Sequence, residues 1–238
     1  MRRLCVCLLL CLSAAHARAG DLVLPPGFSP GDLADLAAVM ADAIAFPQLA
    51  EAAPLGLTGF HVVVAAGGPQ VVTRAQWWNS AMKDRVVGDV LVAPRVLARK
   101  GLPMRLDAGI QVGKVFGLSF WGGEVAWGLM EGGALLPGVA LAGSYCRIVD
   151  SPVALEIGEA RLTVSKGFAL LTPFASLGYR REQASAALNE PFAGVFTIED
   201  DRVTGIAGLV IGVPPLRLVA EVRRAAATGV FVGVGVGL

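Results

Sequence analysis

Few residues in this chain have chemistry to offer, and most of those are charged. Beyond residue 19 the single histidine is His61 and the single cysteine is Cys146. A hydrolase of the Ser–His type needs a serine beside its histidine and a third group to orient the ring. Ser119, Ser144, Ser165 and Ser176 are present, but no motif singles one out. His61 is therefore expected to be a lumen or rim residue, and no catalytic residue is assigned. One histidine and one cysteine make no set of soft ligands, so neither a metal nor another cofactor is expected. Gly233, Gly235 and Gly237 are too regular for a phosphate loop, and no helix follows them. What remains is a set of charged and amide side chains on the polar faces of alternating segments: Arg105, Asp107, Gln111, Glu124, Glu159, Arg161, Arg217, Glu221 and Arg223. The expectation is a lumen ion-pair network, because a narrow barrel must fill its interior with side chains and buried charges must be paired. The alternative is a polar path, or a shallow site for a charged head group.

The elements that must carry these residues are strands. From Gly229 onward, Val230, Val232, Val234, Val236 and Leu238 leave one side of the chain, and Phe231, Gly233, Gly235 and Gly237 the other. Just before, Leu216, Leu218, Ala220 and Val222 alternate with Arg217, Val219, Glu221 and Arg223. In a soluble sandwich the apolar face would be the inner one. In an outer-membrane barrel the sidedness reverses, with lipid outside and a polar lumen inside. Ten such runs follow Leu55: 57–65, 89–99, 104–115, 118–129, 138–148, 154–165, 170–181, 202–213, 216–225 and 229–238. Most have about ten residues, the length with which a tilted strand crosses the hydrocarbon layer.

The connections sort by parity. Gly101-Leu102-Pro103, Gly132 to Pro137, Gly167 to Pro173 and Pro214-Pro215 are tight and carry proline, which suits a strand start. The long connections, Ala66–Gly88 and Glu182–Asp201, fall between them. Short periplasmic turns and longer outer loops give this pattern when both ends of the barrel chain are periplasmic. Leu155 and Ile157 are out of phase with Ala160, Leu162 and Val164, which suggests a bulge at Gly158. Trp121, Trp127, Tyr145 and Tyr179, with Trp77, Trp78 and Phe174, lie near strand ends and are expected to form a sparse interfacial girdle.

Before the strands, residues 1–19 read as a signal peptide: Arg2 and Arg3, an apolar stretch from Leu4 to Leu12, and Ala17-Arg18-Ala19 as cleavage site. Residues 20–54 read as an extended leader and a helix, and 55–238 as the barrel. Ser29 is the expected N-cap with Pro30 at the first helical position, and Leu33, Leu36, Met40 and Ile44 share a face that ends at Pro47. That helix is expected to lie in the periplasm, to pack on the rim or to plug the lumen. Hydrophobic residues make up 55% of the chain, charged residues 16%, and net charge is +1, so composition points away from nucleic acid. An exported, apolar chain without a long uninterrupted apolar segment has a closed barrel as its route into lipid.

The stretches LAEAAPLGLTGF (49–60), RKGLPMRLDAGIQVG (99–113), WGGEVAWGLMEGG (121–133) and VSKGFALLTPFASLGY (164–179) resemble a family of uncharacterised exported proteobacterial outer-membrane β-barrels. The most specific pieces are the turn pair at 100–103 and 166–173. The resemblance spans roughly residues 29–238 and implies location and fold, with no activity or site residue to carry over. It departs in ending on Leu238 where such barrels end in Phe or Trp.

The expectation is therefore an all-β, antiparallel transmembrane barrel of about ten strands, with eight or twelve as alternatives, and a short N-terminal amphipathic helix. Its location would be the bacterial outer membrane, and its partners outer-membrane lipid and the barrel assembly machinery. It would be monomeric, with a small-molecule or lipid ligand allowed. The functional expectation is non-enzymatic: a porin-like, transport or structural barrel with a charged, largely filled lumen. The alternatives are a lipid-modifying outer-membrane enzyme and a soluble periplasmic lipocalin-like binding barrel.

Overall fold

A computed structural model describes residues 27–71, 90–133, 135–149, 151–213 and 215–237, together with 22, 24, 25, 86 and 87. The signal segment, Trp77 and Trp78 lie outside the described residues. Helix α1 spans Pro30–Ile44 and is followed by β1 (Phe60–Pro69), a two-residue hairpin β2 (Val86–Val87) and β3 (Val90–Leu91), and β4 (Arg95–Gly101). Then come β5 (Leu106–Val115), β6 (Leu118–Glu131), β7 (Gly138–Val149), β8 (Val153–Ser165), β9 (Leu171–Leu188), β10 (Gly194–Val213), β11 (Leu216–Arg224) and β12 (Thr228–Gly237). β1 and β4 to β12 form a closed barrel of ten strands in which β1 pairs antiparallel with both β4 and β12. No helix is long and apolar enough to cross a membrane among the described residues, which says nothing of strands.

The β4–β5, β6–β7, β8–β9 and β10–β11 turns fall at one end of this barrel, beside the start of β1 and the end of β12. We call it the turn end, and the opposite end, where β1 departs toward β4, the loop end. The expected connection Glu182–Asp201 is corrected here: β9 and β10 pair through it, from Glu182↔Asp200 to Leu188↔Gly194. The hairpin overhangs the loop end by several residues. Its sidedness explains why it reads as a loop. Ala184, Ala186 and Leu188 are buried inward while Arg181, Gln183, Glu199 and Asp201 are exposed outward, the reverse of the lipid-facing pattern.

The same reversal corrects the bulge expected at Gly158. β8 alternates without interruption from Val153 to Ser165, and Val153, Leu155 and Ile157 are simply inward, on the face that also carries Glu159 and Arg161. The register shift of this barrel sits between Gly128 and Met130, and it carries Met130 outward, to 40% exposure. Facing the exterior at the level of the barrel are Ile110, Val112, Val125, Leu141, Leu162, Val164, Leu218, Val222, Val232 and Val234, all exposed. On β8 the outward residues from Ala160 to Val164 lie between Glu156 and Lys166. At ~3.3 Å per residue and a tilt of ~40°, that interval is about 25 Å tall, the height of a lipid-facing band.

Glycine on the inner face of β12 makes room across the sheet. A Cβ at Gly237 would sit 2.3 Å from His61 Cδ2, and one at Gly235 would meet Val62 O at 2.5 Å and Val63 Cγ2 at 2.8 Å. These glycines therefore let the inward side chains of β1 lie against the wall. Gly235→Val is expected to force the β1–β12 seam apart and lower the unfolding temperature read by heat-modifiable gel mobility. Gly143→Val, at a glycine with open space around its Cβ, should leave that temperature unchanged.

Candidate functional site: the plugged lumen

Helix α1 begins as its residues dictate. Ser29 Oγ accepts from the Asp32 amide at 3.1 Å, and Asp32 Oδ2 accepts from the Ser29 amide at 2.9 Å, closing a capping box with Pro30 in the first turn. The face read from spacing is the buried one: Leu33, Leu36, Met40 and Ile44 are fully buried. Burial extends all round the helix from Leu36 onward and continues to Ala50. The helix is inside the barrel, so of the three expected positions it takes that of a plug.

A helix can sit against an oily wall because its backbone groups bond to one another. Around α1 the wall is apolar, with Leu91, Val115, Phe116, Leu118, Ile148, Val153, Leu155, Ala184 and Leu188 in one cluster with the helix. Beyond Ile44 the chain is irregular, with Leu49 at φ 32°, and after the Ala45 amide, which still bonds the Ala41 carbonyl, its backbone groups lack the regular partners of a helix or strand. The last carbonyls of the helix are equally bare. Buried backbone groups left unpaired are costly, and here the lumen turns from apolar to charged.

Several lumen side chains meet this backbone. Arg95 donates to the carbonyls of Ala43 and Ala45, the latter at 3.0 Å, and Gln111 donates to that of Ile44 at 2.8 Å. These donors close the helix C-terminus, where the dipole also favours a cation. Arg161 and Arg223 both donate to the Phe46 carbonyl, at 2.8 and 2.7 Å. Glu221 Oε2 accepts from the amides of Gln48 and Leu49, at 2.7 and 3.2 Å. Ser165 Oγ accepts from the Ala52 amide at 2.9 Å, and Asp107 from that of Leu55 at 3.1 Å. Among themselves the charges also pair: Arg161 and Arg99 bond Glu124, and Arg223 lies 3.4 Å from both Glu159 and Glu221. The Arg95 guanidinium stacks between the rings of Phe120 and Phe231, 5.2 and 4.9 Å from their centroids.

Of the network residues expected from sequence, Asp107, Gln111, Glu124, Glu159, Arg161, Glu221 and Arg223 are buried in the lumen, and Arg217 is there half-buried. Arg105 is not. It falls in a 3-10 turn (Pro103–Arg105) at φ 62°, and its side chain lies outside, 2.9 Å from an equally exposed Glu131. The alternation of β5 begins only at Leu106, so extending it one residue back misplaced Arg105. Arg95, Arg99, Arg180, Glu182 and Asp42 were missed. Arg95 and Arg99 share an inner face with Leu97, which hides the polar pattern. Arg180 pairs with Asp42 of the helix at 2.6 Å, and Asp42 also accepts from the Ala227 amide at 2.7 Å. Glu182 lies buried between Arg180 and Arg202 rather than in an outer loop.

His61 faces inward. Arg217 Nη1 lies 2.6 Å from its Nε2 and 3.2 Å from its Nδ1, and Arg217 Nη2 is 2.5 Å from Glu51. Burial alone would raise the Glu51 carboxyl, but the Arg217 hydrogen bond and charge outweigh it and hold it below the usual range. The acid thus reaches the histidine through an arginine, and no described serine hydroxyl hydrogen-bonds the ring. Between Gln48, His61, Leu97 and Arg99 there is a cavity of about 20 Å³, room for a water molecule. Cys146 is buried and accepts from Gln111 at 3.1 Å.

Of the aromatics expected at the interface, Trp121, Trp127, Tyr145 and Tyr179 all face outward, and Trp121 and Tyr145 pack ring to ring at 5.9 Å. Trp127 lies toward the turn end and Trp121 toward the loop end. Phe174 points inward and is buried, so it has no place in a girdle.

No family model matches the chain, and no curated protein does. Among solved structures the chain is similar to the N-terminal β-barrel domain of OprF from Pseudomonas aeruginosa (12% identity, TM-score 0.41, covering 77% of this chain and 99% of that one). It is also similar to LpxR from Salmonella typhimurium (9% identity, TM-score 0.39, 75% and 99%). A third is Ail, the attachment invasion locus protein of Yersinia pestis (9% identity, TM-score 0.32, 76% and 95%). These likenesses are of barrel to barrel.

Proposed function

We propose that this chain is a bacterial outer-membrane barrel, of the exported family its sequence resembles, whose own N-terminal segment keeps the lumen shut. Its role is non-enzymatic: structural, or transport that requires the plug to move. The observation that carries this reading is the match between lumen and plug. Apolar wall meets helix, charged wall meets bare backbone, and the exterior bears an apolar band about 25 Å tall. A soluble lipocalin-like binder would have the opposite sidedness along that band. A lipid-modifying enzyme would need a nucleophile in reach of His61, whose ring nitrogens both face Arg217. Outer-membrane lipid and the barrel assembly machinery are the partners this location calls for, and a monomer suffices because every barrel strand is paired within one chain.

Two measurements test the proposal. On fractionation the protein should be found with the outer membrane. In a planar bilayer the full chain should hold no steady conductance at neutral pH, because buried side chains and residues 36–50 fill the lumen. Recovery in the soluble periplasmic fraction, or a stable open-channel conductance from the full chain, would contradict it.

A further inference from the structure

We infer that the barrel is threaded by its own N-terminal segment in one direction, so that the start of the helix at Ser29 lies at the loop end, toward the outer face of the membrane. The inference rests on the outer-membrane reading above and adds the direction of threading. Contacts along the plug descend the barrel in order. Asp42 bonds the amide of Ala227, in the β11–β12 connection at the loop end. Ile44 and Ala45 meet Gln111 and Arg95, Phe46 meets Arg161 and Arg223, and Gln48 and Leu49 meet Glu221, farther along β11 from that connection. Ala52 meets Ser165, the last residue of β8, and Leu55 meets Asp107 near the start of β5, both at the turn end. A Cβ on Gly101 would lie 1.9 Å from the Gly56 carbonyl oxygen, so the segment passes tightly by the β4–β5 turn before β1 begins.

Traced backward, the helix therefore climbs toward the loop end, over about 22 Å for its fifteen residues. One face of its first two turns reaches solvent: Gly31 and Asp35 are exposed, whereas Leu33 and Leu36 to Ile44 are buried and Leu22 and Phe28 pack into the same cluster. The overhanging β9–β10 hairpin is the collar of that end, with apolar Ala184, Ala186 and Leu188 toward the helix cluster and charge outside. Gly237, by contrast, ends at the turn end, paired with His61. The parity of the connections places the start of β1 and the end of β12 on one side. The start of the helix nevertheless lies toward the other.

Single cysteines test this, since the buried Cys146 offers no accessible thiol. Asp35→Cys marks the helix start, Val195→Cys the overhanging hairpin, and Leu57→Cys the turn end, all at exposed positions. Intact cells are treated with a membrane-impermeant maleimide, and the same cells are treated after permeabilising the outer membrane. Folding of each variant is checked by heat-modifiable mobility, with Gly31→Cys replacing Asp35→Cys if the latter does not fold. The expected result is labelling of Asp35→Cys and Val195→Cys on intact cells, with Leu57→Cys labelled at least tenfold more after permeabilisation. Labelling of Val195→Cys but not of Asp35→Cys on intact cells overturns the threading and leaves the membrane reading standing. Labelling of Leu57→Cys but not of Val195→Cys reverses the barrel in the membrane, and the outward placement of the helix start falls with it.

Discussion

Glu221→Ala should destabilise the folded barrel by about 3–5 kcal/mol, since each buried donor left without an acceptor costs about 1–3 kcal/mol and Arg223 loses one of its two carboxylates. The change strands the amides of Gln48 and Leu49, which share Glu221 Oε2, and removes one of the two carboxylates beside Arg223, which keeps Glu159 and the Phe46 carbonyl. Glu221 and Arg223 side chains are essentially inaccessible to solvent, so water does not replace what is lost. The comparison is Glu156→Ala, which breaks an exterior pair with Arg147 that is about half exposed on both sides and should cost under ~1 kcal/mol. Glu182, which sequence alone places in a solvent loop, is no such control because it is buried against Arg180 and Arg202. The shift in unfolding midpoint, read by heat-modifiable mobility in urea, separates the two. Equal midpoints for Glu221→Ala and Glu156→Ala would mean that Glu221 bonds no buried backbone.

The second large effect belongs to the apolar half of the lumen. Leu36→Asp places a carboxylate on the fully buried face of α1, within the cluster that includes Leu33, Val153 and Leu188. An isolated buried charge costs several kcal/mol and finds no cation in that cluster. Strand pairing needs nothing from Leu36, so the expected outcome is expulsion of the helix from a barrel that stays closed. The variant should retain heat-modifiable mobility, gain ion conductance in a planar bilayer, and become cleavable by protease between residues 30 and 55. Leu36→Met conserves volume and should stay silent and uncleaved. A Leu36→Asp barrel that unfolds outright would show that the helix is needed to hold the strands together.

These residues also show how much of the molecule can be read from its sequence. Strand number, the proline turns and the helix cap rest on local physics: period two, a fixed proline φ and a Ser–Asp capping box. They are legible for that reason, and ten strands form, although β4 starts at 95 rather than 89, β9 runs on to 188 rather than 181 and β10 begins at 194 rather than 202. The side of the sheet that each strand turns inward is legible only where lipid is the outer solvent. On the outer-membrane reading proposed above, the hairpin of β9 and β10 lies beyond the apolar band and faces water, so Ala184 and Ala186 turn inward, Arg181 and Glu199 turn outward, and the pattern inverts. Leu155 and Ile157 look out of phase for the same reason, although the strand is regular. The charged set on β5, β6, β8 and β11 is visible as polar faces, yet its purpose is not. Glu221 and Arg161 look like partners for other side chains, and what they satisfy first is the backbone of residues 46–49, far away in sequence. An irregular plug has no periodicity of its own to announce it.

Hydrogen exchange of the folded protein in detergent micelles tests the account most directly, residue by residue across 45–57. If lumen side chains hold this segment, the amides of Gln48, Leu49, Ala52 and Leu55 should exchange as slowly as amides within the barrel strands, since each is bonded to Glu221, Ser165 or Asp107. Leu57, at the exposed turn that follows, should exchange rapidly. Exchange of Gln48 to Leu55 at the rate of Leu57, with the strands protected, would mean the segment is not held in the lumen and would contradict the plug.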